Sequence, residues 1–69
     1  MKVEEIRALA TEEINVRVEE NREELMNLRF QQATGELVDY NRLRTTRRDI
    51  AKMLTILKER EMEEMESEA

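Results

Sequence analysis

Arg44, Arg48 and Lys52 follow one another at intervals of four residues, and Arg47 stands beside the row they make. On a helix that spacing stacks the three side chains along one face. Like charges so placed repel, so the row calls for an anion. Arginine suits phosphate in particular, because its planar guanidinium bonds two oxygens at once. Catalytic chemistry has no comparable signal. The chain has no histidine and no cysteine, so it lacks the usual general base and the thiol nucleophile. Its hydroxyls are those of Thr11, Thr34, Thr45, Thr46, Thr55, Ser67 and Tyr40, none with an implied base. One glycine cannot build a phosphate-cradling loop, and a zinc site would need carboxylates alone. The glutamate pairs match no calcium-loop spacing. The sequence therefore predicts no enzyme, no cofactor, no metal and no small-molecule substrate.

The elements that must hold this row are helical. The 69 residues contain no proline, and they are rich in Glu, Arg and Leu, which lose little rotamer freedom in a helix. A chain this short is one domain with a marginal core, and it lacks a disulfide to staple it. The fold class expected is all-α: a long antiparallel two-helix hairpin with a short N-terminal helix.

Val3, Ile6 and Leu9 give a narrow apolar edge to a helix over 2–9, too short to persist undocked. A long helix is expected over 11–33, with Ile14, Val18, Leu25 and Leu28 as its seam. Asn21 fills the missing slot, half exposed, and Gln32 continues the line. Val16, Met26 and Phe30 are expected to widen that apolar face, with Glu12, Glu13, Glu19, Glu20, Glu23 and Glu24 facing solvent. Thr11 can cap this helix; if Ala10 is the cap, the cap is weak. Gly35 stands where a left-handed residue ends a helix, Glu36-Leu37-Val38 reads as an irregular link, and Asp39 as the next N-cap. So short a link favours antiparallel neighbours. The third helix is expected over 40–58, with the seam Leu43, Ile50, Leu54 and Leu57. Arg47 would take the empty slot, and Met53 and Ile56 would flank. Residues 59–69 read as an acidic tail, frayed or disordered.

Charge follows the same division. The net charge is −5, but residues 1–28 carry −4, residues 29–58 carry +4 and residues 59–69 carry −5. A local positive footprint on an acidic chain is compatible with nucleic acid. On the residues alone a hairpin or coiled-coil module that binds a protein and has no RNA role is the favoured reading, since arginine-bearing helix faces are usually solvated. No apolar run approaches the roughly 20 residues of a membrane span, and the start is too acidic for a signal peptide. A cytosolic protein is expected, or an organelle protein after processing.

Asn27-Leu28-Arg29-Phe30-Gln31, then Ala33-Thr34-Gly35, then Arg47-Arg48-Asp49-Ile50-Ala51 carry a family resemblance. From Met1-Lys2 to about Leu57 the chain resembles the bacterial-type large-subunit ribosomal protein number twenty-nine family. The resemblance implies a helical hairpin and a structural component of the large ribosomal subunit in the cytoplasm. It implies binding to large-subunit rRNA near the nascent-peptide tunnel exit, beside ribosomal protein number twenty-three, where targeting and chaperone factors dock. Carried over by position, the RNA-binding residues are Lys2, Arg7, Arg29, Gln31, Gly35, Arg44, Arg47, Arg48, Lys52 and Thr55. The chain departs from the family at Ala10 (often Ser or Thr), Glu36 (usually Gln), Asp39-Tyr40 (often Asn-Pro) and Leu54 (usually Lys).

Overall fold

The computed structural model describes residues 1–36 and 39–68, apart from the side chain of Glu68. The expected link at Leu37-Val38 and the last residue, Ala69, lie outside the described residues. Among the described residues three helices follow in order: α1 (Val3–Arg7), α2 (Thr11–Thr34) and α3 (Tyr40–Glu68). Helices α2 and α3 pack against each other as a hairpin, and α1 lies on α3. The molecule is a rod of 51 × 19 × 15 Å.

Local chemistry explains each boundary. α1 starts at Lys2, whose backbone N–H donates to the Glu5 carboxylate at 3.5 Å. Lysine has no acceptor to return the bond, so only half of a capping box forms. Ala10 takes the N-cap position of α2 in extended conformation with no side-chain bond, and Thr11 is the first helical residue. Of the two alternatives, the weak cap is the one adopted. Gly35 ends α2 in left-handed conformation, φ +80°. Its N–H donates to the Gln32 carbonyl at 3.2 Å, and the Glu36 N–H donates to the Gln31 carbonyl at 2.8 Å. These are the two bonds that close a helix with a Schellman turn. Asp39 opens α3 by accepting the Arg42 N–H at 3.2 Å.

The α2 seam is as the spacing predicts: Ile14, Val18 and Leu28 are buried, while Asn21 and Leu25 are half-buried. Val16, Met26 and Phe30 do not widen it. All three point to solvent, and Gln32 is exposed too. The α3 seam has a different phase from the one expected. Leu43, Thr46, Ile50, Met53, Leu57 and Arg60 face inward at alternating steps of three and four, with Ile56 buried beside them. The seven-residue gap from Leu43 to Ile50 divides as three plus four, so Thr46 fills the slot and Arg47 turns out. From Ile50 the seam steps to Met53, which leaves Leu54 40% exposed.

A hydrophobic cluster lies at the α1 end, where Ile6, Ile14, Val18, Met53 and Ile56 are buried against Met1, Leu9 and Leu57. Three elements meet there; at the Gly35 end there are two. α3 continues through Glu68, so the expected tail at 59–69 is helical over its described part. Glu, Arg and Met are strong helix formers, and no glycine or proline intervenes to stop the helix after Lys58.

Candidate nucleic-acid interface

α3 carries the basic row outward because its seam consumes the residues between. With Thr46, Ile50 and Met53 facing α2, positions 44, 47, 48 and 51 must lie on the other side of the helix. Arg44, Arg47 and Arg48 are all exposed, and with Ala51 they line one shallow hollow. The small alanine leaves the floor open between the guanidinium groups. Among the described residues none of the three arginines has an ion pair or a side-chain hydrogen bond. Their donors are free for an external anion. From Arg44 to Thr55 the row is about 17 Å long at 1.5 Å per residue, roughly the reach of a few successive phosphates.

The remaining residues of the expected site fall into three groups. Lys52 and Thr55 extend the row but already have intramolecular bonds. Lys52 Nζ donates to the Met1 carbonyl at 3.0 Å, and Thr55 Oγ1 donates to the Ala51 carbonyl at 2.9 Å. Lys52 keeps two further donors and Thr55 its lone pairs. Lys2 and Arg7 belong to the α1 end. Lys2 is exposed, whereas Arg7 Nη2 bonds Glu59 Oε2 at 3.4 Å, an exposed pair that solvent and salt weaken. Arg29, Gln31 and Gly35 sit at the far end of α2. Arg29 is exposed without an ion pair among the described residues. The Gln31 carbonyl is spent on the helix stop and on the Thr34 hydroxyl at 3.1 Å, which leaves its side-chain amide. Gly35 serves the turn; beyond its chain neighbours, no atom of the described residues lies within 4 Å of where a Cβ would stand, which leaves room there for a ligand. The α1 end thus meets the row at Lys52, while Arg29, Gln31 and Gly35 lie toward its other end, where Arg44 begins it.

Two charged residues escaped sequence reasoning. Asp49 accepts from the Met1 ammonium at 3.1 Å, with both side chains mostly buried. This ties down the one carboxylate in the arginine-rich stretch, so its charge opposes the row less. Its signal was its isolation among basic residues. Arg60 is half-buried and holds three acceptors: the Arg7 carbonyl at 3.1 Å, the Leu9 carbonyl at 2.9 Å and the Thr11 hydroxyl at 3.0 Å. It therefore satisfies groups freed where α1 ends and fixes α1 to the start of α2. Its only signal was being the single basic residue after Lys58. Arg42 is drawn across the hairpin to Glu24, and its charge is already paired there.

Other chemistry finds no support in this geometry. Among the described residues no group of side chains could hold a metal ion, and no helix is long and apolar enough to cross a membrane.

Comparison with known proteins identifies relatives over most of the chain. Residues 4–60 match the family model described as Ribosomal L29 protein. The large ribosomal subunit protein uL29 of Staphylococcus haemolyticus is 52% identical over 64 residues, 93% of this chain and 93% of that protein. Its counterpart in Corynebacterium diphtheriae is 53% identical over 58 residues, covering 84% of this chain and 76% of its own length. The Mycobacterium avium protein of that name is 52% identical over 58 residues, 84% of this chain and 75% of the relative. A match of this extent shows that the chain belongs to the ribosomal L29 protein family and is a structural protein of the large ribosomal subunit, not an enzyme.

Proposed function

We propose that this chain binds large-subunit rRNA through the outer face of α3, with Arg44, Arg47 and Arg48 bonding phosphates. The observation that carries this reading is the shared hollow in which those three guanidinium groups stand exposed and unpaired among the described residues. Lys52 and Thr55 prolong the track. Lys2 reaches the same RNA from the α1 end, and so does Arg7 once phosphate displaces Glu59. Arg29, Gln31 and the open backbone at Gly35 make a second contact at the far end of the rod. The binding is of backbone and shape, because a bare helix face offers no platform for base stacking. The position we propose, which the family resemblance suggests, is near the nascent-peptide tunnel exit, beside ribosomal protein number twenty-three, where targeting or chaperone factors dock.

The test is binding to fragments of large-subunit rRNA over a salt series, for the wild type and for Arg47→Ala/Arg48→Ala. Counterion release makes each lost phosphate contact flatten the log–log salt slope by about 0.7–0.9. The double variant should therefore bind more weakly and with a slope lower by about 1.4–1.8. Equal binding by both proteins, or none by either, would favour a protein-binding hairpin with no RNA role.

A further inference from the structure

The outer side of α2 bears a second row of residues that the hairpin does not use. Glu12, Val16, Glu19, Glu23, Met26 and Phe30 succeed one another at alternating steps of four and three, the spacing of a coiled-coil seam. The row runs along the side of α2 opposite Ile14, Val18 and Leu28, which face α3. Its three apolar members are 57%, 65% and 68% exposed. The surface between Val16 and Met26 is hollowed, with Glu19, Glu20 and Glu23 on its rim. Arg22 stands there too, but it is paired with Glu19 at 3.4 Å. A second hollow adjoins at Val16, bordered by Glu12, Glu13, Arg17 and Glu20.

This composition selects its occupant. Apolar side chains at helical spacing are anchors for a partner helix, and leaving them in water is unfavourable. The carboxylates beside them repel the phosphates of RNA. They also repel a second copy of the same face, since each glutamate row would meet its own kind. What complements a line of apolar residues interspersed and edged with carboxylates is an apolar line interspersed with Lys and Arg. We propose that the outer face of α2 docks a basic amphipathic segment of another protein, on the side of the hairpin away from the arginine row of α3. The inference rests on family membership only for where that partner is met, in the assembled large subunit. The hairpin then acts as a two-sided joint, with phosphate against α3 and cationic protein against α2.

Site-specific photocross-linking in purified large subunits tests this. One protein carries p-benzoylphenylalanine in place of Glu20, on the rim but not among the anchors. Another carries it in place of Arg48. Incorporation of each protein is verified by its presence in the purified subunits. Position 20 should cross-link to a peptide of another protein in which Lys and Arg outnumber Asp and Glu and apolar residues recur every three or four positions. Val16→Asn in the same chain, an exposed substitution that leaves every charge in place, should cut that yield at least fivefold. Adducts to RNA, adducts to an acidic peptide, no adduct, or a yield indifferent to Val16→Asn would each overturn the proposal. Position 48 reports separately on the RNA track. A protein adduct at 20 without an RNA adduct at 48 would refute the proposed RNA contact and leave the docking face standing.

Discussion

The two ends of the rod are built on different principles. At the α1 end three elements converge. Ile6, Ile14 and Met53 are fully buried there, and Arg60 ties the turn between α1 and α2. At the Gly35 end two helices lie side by side on a thin seam in which Leu25 and Leu43 are only half-buried and Thr46 takes a core position. Order at that end comes from local devices instead: the Schellman bonds at Gly35, the Asp39 cap and the Arg42–Glu24 bridge. One end holds itself by burial; the other is kept in shape by stops and caps. Arg29 and the start of the arginine row lie toward the second, so the proposed RNA surface borrows its rigidity from the first through a continuous α3.

Removing burial at the α1 end should therefore have the largest effect. Met53→Ala deletes a side chain with no exposed surface from the middle of the cluster. Large-to-small substitutions of this kind cost about 2–5 kcal/mol, a large share of what a domain of this size possesses. Urea denaturation followed by circular dichroism should show the loss. A cost under about 1 kcal/mol would mean that the cluster is not where the rod is held.

Next in size is the tie itself. Arg60→Met keeps most of the stem and removes the guanidinium that serves two carbonyls and a hydroxyl. Hydrogen bonds from a charged donor are worth about 1.5–3 kcal/mol each at most, and part of that returns as water reaches the freed carbonyls. A net loss of about 1–2 kcal/mol is expected. Its signature is local: amide exchange should quicken across α1 and leave the Gly35 end unchanged. Faster exchange at both ends would show that the two are a single cooperative unit, which would remove the distinction between them.

The same contrast explains what could be read from the sequence. The hairpin, the stop at Gly35 and the cap at Asp39 are local matters, written in residues with strong conformational preferences. The α2 seam was legible because its apolar residues alternate with glutamates. The α3 phase was not. Leu43 and Ile50 are seven apart, and either Thr46 or Arg47 can stand between them on spacing alone. Threonine does not announce itself as a core residue, so the structure's choice of Thr46 was invisible, and with it the full outward turn of Arg47. Val16, Met26 and Phe30 misled for the opposite reason: apolar residues at helical spacing read as core whichever side they occupy. The role of Arg60 depends on carbonyls some fifty positions away in the chain, and no periodicity encodes it. The arginine row itself was plain, because its spacing is that of the helix that carries it.

The smallest effect belongs to the Gly35 end and separates conformation from contact there. Gly35→Ala places a Cβ on a residue at φ +80°, with no atom of the described residues beyond its chain neighbours within 4 Å of it. Nothing is displaced, so the cost is the left-handed backbone alone, about 1 kcal/mol. Gly35→Asn should recover part of it, since asparagine tolerates that region better. Both are read in the same urea titrations. If the Gly35 end depends on its stops as argued, the alanine variant should loosen exchange at the last turn of α2 and the first of α3 while α1 stays protected. The rRNA titration adds a second readout. Binding that falls by no more than the roughly fivefold equivalent of 1 kcal/mol means that Gly35 serves the turn, and the RNA contact there belongs to Arg29 and Gln31. A larger loss, shared by the asparagine variant despite its recovered stability, means that RNA packs against the bare Cα of Gly35 and that a side chain of any kind excludes it.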